Sequence, residues 1–341
     1  MEILASSQFG RANRLGALLL AVALAWMSGC ASTPGPVAKP EDGSALRLVR
    51  AYPVEGIGGA REPSGLTLQN GRLYAVCDKV DNTVFRIDID NGVARMVPHI
   101  IFTPPPGGEP LDFEGITSDE DGYFYLASET YSRILRVSPS GEASWHFESV
   151  EPAARKAGLL LRHNAKLEGI ALLPNGNFLL AAERHPRGLI EVDGQTGAVL
   201  HAQVMNSSIY SAELPLLRIP DWTGLFVFQE RVFALFRNAH LVVPLGRHEN
   251  GDFYEAAGAR SFQHAEESSE YRYDVLRFGK AEGLAMDERF IYVVIDNNGR
   301  PRAIDRADKR PLLFVFENPF AESEPDSPVM APFTLSGLLR R

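Results

Sequence analysis

Short apolar segments separated by polar turns recur along most of the chain. The clearest copy begins at Asp112-Phe113-Glu114-Gly115-Ile116, passes a polar turn, continues through the apolar segment Tyr123–Ala127 and ends at Glu129. Apolar runs of this length, bounded by Gly, Asn and Asp, predict β-strands joined by tight turns. The same arrangement occurs five times, and each copy has a glycine in its first strand. These repeat glycines are Gly65, Gly115, Gly169, Gly224 and Gly283.

The spacing of these glycines indicates the fold class. They are 50 to 59 residues apart, and the second strand of each copy closes with a polar residue 13 or 14 positions after the glycine. A repeat of this length built from short strands is typical of a β-propeller with one four-stranded blade per repeat. The sequence therefore predicts an all-β protein whose single β-propeller has five four-stranded blades and spans residues 46–320.

The two ends of the repeat array predict how the ring closes. The fifth repeat lacks a good fourth strand, whereas the alternating segment Leu46–Tyr52 precedes the first repeat without a blade of its own. We expect this segment to pair with the last blade near residues 312–316, which removes a free sheet edge. Six blades are the alternative if residues 151–165 or 262–280 contain further strands. Cys77 lies inside a predicted strand and is interpreted as a small buried residue.

Residues 1–29 have the pattern of an export signal. Arg11 and Arg14 precede the apolar run Leu15–Met27, which is too short to span a bilayer as a helix. The stretch Ser28–Ala31 places small residues around Cys30 and resembles the lipobox of bacterial lipoproteins, in which this cysteine becomes the acylated N-terminus. An ordinary signal peptide with a chance cysteine is the alternative.

An acylated Cys30 would hold the protein in the bacterial cell envelope. Ala31 follows the cysteine where retention signals usually carry aspartate, which by analogy implies the outer membrane, facing the periplasm. Residues 30–45 are rich in Pro, Gly and Ala and predict a flexible tether. Residues 321–341 predict a loose C-terminal tail. The expected contact with the membrane is through the lipid anchor only.

Composition narrows the possible functions. The chain of 341 residues carries a formal net charge of −9 and has no basic stretch, so nucleic acid is not an expected partner. It contains no Gly-x-Ser-x-Gly, His-Glu-x-x-His or phosphate-loop motif, so the common serine hydrolase, zinc protease and nucleotide-binding classes lack support. Acidic residues concentrated on one face would attract cations.

Propeller geometry predicts that two sets of polar residues converge on one face. The inner strand of each blade starts on the face where the second strand ends, so both sets surround one mouth of the central channel. The residues before the repeat glycines are Ser64, Glu114, Glu168, Thr223 and Glu282. The residues that close the second strands are Asp78, Glu129, Glu183, Arg237 and Asp296.

The carboxylates in these sets predict a site for one divalent cation. A ring of carboxylate oxygens suits Ca²⁺, which takes about six to eight oxygen ligands, and a cation relieves the repulsion between crowded carboxylates. Lys166 and Lys280 offer an alternative, because each lies two residues before a proposed ligand and can pair with it directly. The favoured ligands are Glu114, Glu168 and Glu282, with Asp296, Glu183 and Glu129 as second choices.

Charged residues that depart from the repeat are candidates for chemistry, because crowded carboxylates raise one another's pKa and can supply a general acid or base. The candidate catalytic residues are Glu168, Lys166, Arg184, His185 and Arg237. The candidate substrate-binding residues are Lys280, Tyr271, Arg272 and His240. The alternative interpretation is structural: the glycines let inner strands approach each other, and the repeated glutamates accept backbone N–H groups of the next blade.

Three motifs resemble those of the bacterial "esterase-like activity of phytase" family: Asp112–Ile116, Leu167–Ala171 and Ala281–Ala285. The resemblance covers about residues 46–320 and implies a secreted or lipid-anchored propeller that hydrolyses phosphoesters or esters, with calcium by analogy to β-propeller phytases. Glu114, Glu168 and Glu282 match the repeated Glu-Gly positions of the family. Ser64 and Thr223 depart from them, which argues against a complete acidic ring.

Two functional interpretations follow. The first is an enzyme that acts on a small-molecule anionic ester with the help of a metal. The second is a non-catalytic propeller that binds an envelope protein or another ligand. A lactonase-like calcium propeller is a third, less favoured interpretation.

Overall fold

The structure is a computed structural model that describes residues 44–56, 62–274 and 280–321. These residues form 21 β-strands, two short α-helices and two 3₁₀ turns. None of the helices in these ranges has the length and hydrophobicity of a membrane-spanning segment. The signal peptide, Cys30, most of the tether and nearly all of the C-terminal tail lie outside the described residues, so their predictions stay predictions.

The strands form successive four-stranded antiparallel sheets, one for each sequence repeat. After β1 (Leu48–Gly56), blade 1 contains β2 (Pro63–Gln69), β3 (Arg72–Cys77), β4 (Thr83–Asp90) and β5 (Val93–Ile101). Blade 2 contains β6 (Phe113–Ser118), β7 (Phe124–Ser128), β8 (Arg133–Val137) and β9 (Ala143–Trp145). Blade 3 contains β10 (Leu167–Leu172), β11 (Phe178–Ala182), β12 (Gly188–Val192) and β13 (Val199–Val204).

The last two blades depart slightly from this plan. Blade 4 contains β14 (Gly224–Phe228), β15 (Arg231–Phe236), β16 (Leu241–Arg247) and β17 (Phe253–Glu255), with the two-residue β18 (Arg260–Ser261) also paired to β16. Blade 5 contains β19 (Ala281–Met286), β20 (Phe290–Ile295) and β21 (Leu312–Glu317). The described parts of the segments considered for a sixth blade contain helices α1 (Glu151–Lys156) and α2 (Gln263–Glu266) instead of a further four-stranded sheet.

Strand β1 closes the ring, as the sequence predicts. It runs antiparallel to β21, with Ala51 opposite Phe314 and Tyr52 opposite Leu313, and becomes the fourth strand of blade 5. Its last three residues also run parallel to β5, where Val54 lies opposite Ala94. Blades 5 and 1 therefore share one continuous eight-stranded sheet, and no free edge separates them. The predicted all-β propeller is confirmed.

The repeat glycines allow the inner strands to pack closely around the axis. A Cβ atom added to Gly115 would lie 2.6 Å from the carbonyl oxygen of Glu168 in blade 3, and one added to Gly283 would lie 2.7 Å from the backbone nitrogen of Leu66 in blade 1. Neither approach tolerates a side chain. The inner strands follow one another as β2, β6, β10, β14 and β19, and β19 lies against β2 again.

Close packing leaves little space on the axis. The central cavity has a volume of about 10 Å³, which is no more than one water molecule occupies. Ser64 and Thr223, the two positions without glutamate, contribute to this packing. The Ser64 hydroxyl donates to the carbonyl oxygen of Phe113, and the Thr223 hydroxyl donates to that of Ala281 at 2.8 Å. Each hydroxyl thus ties its blade to a neighbouring blade, and a ligand has room only at the mouths.

The hydrophobic core lies between neighbouring blades. Phe113 and Phe124 of blade 2, for example, pack with Tyr74 and Val84 of blade 1 and are fully buried. Cys77 is also fully buried, within the core shared by blades 1 and 5, as predicted for a small apolar residue. These inter-blade cores hold the sheets at fixed positions and thereby fix the residues at the strand ends.

Candidate active site at one mouth of the propeller

A β-bulge precedes four of the five repeat glycines. The pairing register between inner and second strands shifts at Ser64, Glu114, Glu168 and Glu282, each just before its glycine. A bulge leaves one residue out of the ladder and redirects its side chain, which is why bulges are common beside active sites. In this propeller the bulges direct three glutamates to the start of the inner strands, on the face where the second strands end.

Three carboxylates of blades 1 and 2 form a group that can hold a metal ion. One oxygen each from Asp78, Asp112 and Glu114 lies within 4.8 Å of the other two, and all three residues are half-buried. Asp78 directly follows β3. Asp112 has a positive φ of 54° and a backbone N–H that donates to Asp81 at 3.2 Å. These two local features direct both aspartates to the glutamate of the bulge.

The acidic group differs from the predicted ligand set, of which only Glu114 belongs to it. Asp78 is a residue that closes a second strand, and Asp112 lies two residues before a repeat glutamate. Both positions are visible in the repeat pattern. That these two positions join Glu114 in one group depends on the backbone conformation of Asp112 and on the contact between blades 1 and 2. A single repeat of the sequence does not reveal either feature.

Electrostatics make this group suitable for a cation. Burial, followed by the negative charges of Glu282, Asp112 and Asp78, raises the pKa of Glu114 well above its usual range. Burial and the charge of Asp78 also raise the pKa of Asp112. The ammonium of Lys79 donates to Asp78 and lies 4.0 Å from Glu62. Because this lysine is largely exposed, it can leave Asp78 when a divalent cation takes its place, and its ammonium group can pair with an anionic ligand instead.

Arg237 forms ion pairs with Glu282 and Glu183, two of the carboxylates predicted as metal ligands. Its Nη1 donates to both oxygens of Glu282 at 2.7 and 2.8 Å, and its Nη2 donates to Glu183. Its Nε donates to Asp221 at 2.9 Å. The predicted trio of Glu114, Glu168 and Glu282 is therefore not the observed three-carboxylate group, because the guanidinium already donates to both oxygens of Glu282. Arg237, a predicted catalytic residue, joins carboxylates from blades 3, 4 and 5.

Glu168 lies beside this ion-pair cluster without joining it. The side chain is 8% exposed, and within the described ranges no hydrogen bond or ion pair reaches its carboxylate. Burial and the charge of Glu114 raise its pKa well above the usual range, against the opposing effect of Arg237. Glu168 is thus a buried carboxyl group that retains its proton more readily than an ordinary glutamate and is free to exchange it.

The two predicted lysines lie in different surroundings. The Lys166 ammonium donates to Glu151 of helix α1 at 2.9 Å, so it pairs with this helix and not with Glu168. Lys280 is half-buried, and burial lowers its pKa while Asp296 and Glu282 oppose this effect. The structure therefore keeps Lys280 among the carboxylates of the mouth and directs Lys166 away from Glu168.

The remaining second-choice ligands lie close to the acidic group. Burial raises the pKa of Asp296 to about 6, with contributions from Glu62 and Asp78 and an opposing hydrogen bond of 2.7 Å from the Asn298 backbone. The Glu129 backbone N–H donates to the Asp112 carbonyl oxygen at 2.9 Å, and burial and the charge of Asp112 raise the pKa of Glu129. Glu129 also accepts the Lys166 backbone N–H at 3.0 Å.

Arg184 and His185 line a basic recess. The cavity has a volume of about 400 Å³ and is surrounded by Arg162, His163, Asn164, Ala165, Arg184 and His185. Arg184 donates to the carbonyl oxygen of Asn164 at 3.1 Å and pairs with Glu183 behind it. None of the six lining residues is acidic, so this recess complements the acidic group.

The remaining predicted substrate-binding residues differ in exposure, and His240 is the least available of them. His240 is only 2% exposed, with its Nδ1 2.9 Å from Glu266, and this ion pair raises its pKa to about 9 despite burial. The positive charge of His240 is therefore neutralised by Glu266 inside the fold and is not available to a substrate. The Tyr271 ring packs edge-on against Phe314. The carbonyl oxygen of Arg272 accepts a hydrogen bond from the Ala303 backbone, whereas its side chain is exposed.

The fold and the mouth define an all-β propeller with a concentrated acidic site. Comparison with known proteins shows a similarity over part of the chain: residues 56–207, which contain blades 1 to 3, match the family model described as "Phytase-like: Esterase-like activity of phytase". The resemblance seen in the sequence is confirmed over this segment. A search of curated proteins gives no match.

Solved structures with a similar fold share little sequence with this chain. Glutaminyl cyclase from Myxococcus xanthus has 12% identity and a TM-score of 0.45, with 80% of this chain and 99% of that chain covered. Virginiamycin B lyase from Staphylococcus aureus has 13% identity and a TM-score of 0.38, covering 79% and 74%. A putative gluconolactonase has 12% identity and a TM-score of 0.42, covering 82% and 97%. Similarities of this size give no information on a substrate.

Proposed function

We propose that this protein is a metal-assisted hydrolase of anionic esters, with phosphoesters as the first substrate class. The observation that carries the proposal is the proximity of the acidic group Asp78, Asp112 and Glu114 to the buried carboxyl group of Glu168. The strongest charge effect on Glu168 comes from Glu114. The match of blades 1 to 3 to an esterase-like phytase family supports the same reaction class.

The donor atoms of the acidic group fit a hard cation, and we propose Ca²⁺. Asp78, Asp112 and Glu114 offer carboxylate oxygens only, which Ca²⁺ prefers to nitrogen or sulfur ligands. Three partly buried carboxylates at this distance repel one another, and a divalent cation removes that cost. When bound, the cation would withdraw electrons from an ester or phosphoryl oxygen and make its carbon or phosphorus easier to attack.

The side chains around the acidic group have separate tasks in this proposal. Lys79 and Lys280 bring positive charge to the same mouth, and an ammonium group orients an anionic oxygen of the substrate. A water molecule would attack the carbon or phosphorus as the ester oxygen leaves. Glu168, whose pKa is raised by burial and by Glu114, holds a proton that it can give to the departing alcohol, and its carboxylate regains a proton from the attacking water. Arg237 is a positioning residue, because it holds Glu282, Glu183 and Asp221 in place.

The substrate and its location follow from charge and sequence. We propose a small-molecule ester with at least one further anionic group, which the basic recess at Arg184 and His185 would accept. The lipobox-like pattern at Cys30 supports an address in the bacterial cell envelope, with a lipid anchor in the outer membrane and the domain in the periplasm.

Turnover assays test this function. Purified protein is assayed with p-nitrophenyl phosphate and with short acyl esters, in Ca²⁺ and in chelator. We expect chelator-sensitive turnover that Asp112→Asn and Glu114→Gln each reduce at least about 100-fold in kcat/KM, the size of effect seen when a main transition-state contact is removed. Asp121→Asn, an exposed aspartate in the turn at the opposite end of β6, serves as the matched control and should retain full activity.

One observation favours a second candidate, a non-catalytic binding propeller. The axis is almost filled, and Arg237 neutralises Glu183, Glu282 and Asp221 internally, as expected for a cluster that stabilises contacts between blades. Absence of turnover on every ester, together with Ca²⁺-dependent stabilisation, would support this candidate. Turnover that chelators do not affect would contradict the metal-assisted mechanism.

A further inference from the structure

The loop between β13 and β14 exposes two adjacent leucines almost completely. Leu216 is 92% exposed and Leu217 is 93% exposed, the highest values among large hydrophobic residues of the described chain. Ile209, in the same loop, is 65% exposed. Scattered apolar residues on a surface are ordinary, but an adjacent pair with almost no intramolecular contact indicates a binding role.

The base of this loop is fixed at both ends. On one side, buried Glu255 accepts hydrogen bonds from the Ser208 hydroxyl at 2.7 Å and the Ile209 backbone at 2.9 Å, and pairs with buried Arg187 at 2.5 Å. On the other side, Asn238 accepts from Arg218 at 3.1 Å and donates to the Ile219 carbonyl oxygen at 3.1 Å.

A loop with a fixed base presents its tip in a defined direction. Leu217 has a positive φ of 69°, a conformation that costs a branched side chain some strain and is found at positions with a function. The two leucines are therefore held outward by the fold, in spite of the cost of exposing them.

The tip lies on the same blade and face as the point where the tether enters the domain. Asn238 lies three residues before Leu241, which is opposite Ser261 in the β16–β18 pairing. Ser261 donates its backbone N–H to the Ser44 carbonyl oxygen at 2.8 Å and accepts that of Leu46 at 2.8 Å. The first described residues of the chain thus run beside the mouth-side end of blade 4.

The length of the tether relates this face to a membrane. Cys30 precedes Ser44 by 14 residues, and a flexible segment of this length has an average span of about 20 Å. Fully extended, a segment of this length reaches about 50 Å, so an acylated Cys30 would leave the mouth-side end of blade 4 able to approach the lipid surface. The segment from 206 to 217 contains a single charged residue, Glu213, so little charge would have to be desolvated near lipid.

We propose that Leu216 and Leu217 insert into the lipid surface to which the tether attaches and turn the mouth of the propeller toward that membrane. Stable membrane attachment usually requires two weak contacts, and the leucine pair would supply the second beside the lipid anchor. A contact of two side chains suits a fluid lipid surface better than a protein partner, which needs a larger complementary patch. This inference rests on the membrane address proposed above and not on hydrolysis.

Tryptophan fluorescence in vesicles tests the insertion. Full-length protein, processed by its own export signal, is reconstituted in phosphatidylethanolamine and phosphatidylglycerol vesicles as Leu216→Trp or as Leu200→Trp. Leu200 is the matched control, because it is a 54% exposed leucine at the start of β13, toward the opposite face. We expect emission of the Leu216→Trp protein to shift to shorter wavelength and to be quenched at least twofold more by lipids brominated on their acyl chains.

Two results would overturn the proposal. The first is equal quenching of both variants, including the case in which neither associates with vesicles. The second is a dimer in sedimentation velocity that Leu216→Ser/Leu217→Ser converts to monomer, since the tip would then bind a second copy. Both side chains are exposed, so this double variant should melt within a degree of the parent. The readouts do not depend on turnover, so a failed hydrolase assay leaves this test intact.

Discussion

The guanidinium of Arg237 in blade 4 binds both carboxylate oxygens of Glu282 in blade 5, at 2.7 and 2.8 Å. The same side chain reaches Asp221 of its own blade and Glu183 of blade 3. Three blades therefore depend on one buried cation for charge balance. This bridge links blades 3, 4 and 5, whereas the acidic group lies in blades 1 and 2.

Arg237→Met should strongly destabilise the protein. Removing the cation leaves the buried Asp221 and Glu282 without their ion-pair partner and leaves Glu183 with Arg184 alone. Breaking a buried ion pair in this way costs about 3–5 kcal/mol. The free energy of unfolding is measured by urea denaturation. Arg306→Ala is the control, because Arg306 is an exposed residue paired with Asp274 and surface pairs contribute about 0–1 kcal/mol. Equal effects of the two substitutions would show that the bridge is unimportant.

Calcium should raise the melting temperature of the parent protein. A ligand that binds only the folded state stabilises it by about 2.7 kcal/mol at 100 times its Kd, a shift of several degrees. Asp112→Asn and Glu114→Gln should abolish the shift in differential scanning calorimetry, and Asp121→Asn should retain it. Glu168→Gln separates the sequence-based ligand set from the acidic group: we expect it to keep the shift. Loss of the shift in Glu168→Gln would restore Glu168 as a ligand.

The metal-free protein should lose stability as the pH rises from about 5 to 8. Burial raises the pKa of Asp296 to about 6 and that of Glu282 to about 7, whereas both titrate near 4 in an unfolded chain. The folded state binds more protons between these values, so the stabilisation is complete below pH about 4 and disappears as the pH passes 6 and 7. Cation binding should strengthen over the same range.

Asp296→Asn checks this pH dependence. The free energy of unfolding in chelator, measured at pH 5 and pH 8, should differ by about 1.4 kcal/mol less in this variant than in the parent, because about one unit of the Asp296 pKa shift lies above pH 5 and one pKa unit corresponds to about 1.4 kcal/mol. Asp121→Asn should leave the difference unchanged. An identical pH profile in the parent and Asp296→Asn would contradict the assigned protonation.

Cys30→Ser should release the protein from the membrane. Serine has no thiol to accept the lipid, so the variant should appear in the soluble fraction or remain as an uncleaved precursor. Membrane fractionation followed by immunoblotting measures the distribution. Cys77→Ser, which changes the buried cysteine of the core, is the control for the loss of a thiol. An unchanged membrane fraction in Cys30→Ser would contradict lipidation.

The repeat pattern predicts the fold well because each copy records the same local constraints. Gly115 and Gly283 had to be glycines for inner strands to meet, and their spacing alone therefore reveals the blades. The pairing of β1 with β21 follows from counting strands in the first and last repeats. These features depend on alternation and on turn residues, which are local properties of the sequence.

The site is less predictable because it depends on contacts between blades. Nothing near Glu282 in the sequence indicates that Arg237, 45 positions earlier, binds its carboxylate. Asp112 joins the acidic group through a positive φ that is uncommon for aspartate. In the same way, Leu216 and Leu217 have the composition of core residues, and only the fold shows that both are exposed.

The closing strand β1 also determines when the ring can be completed. Blades 1 to 3 are built from consecutive strands, so each can form soon after its own residues are made. Strand β1 must wait for β21, since Tyr52 pairs with Leu313, and contacts this distant in sequence form slowly. During synthesis, which makes the N-terminus first, the earliest strand of the domain remains without its main partner until almost the whole chain has been made.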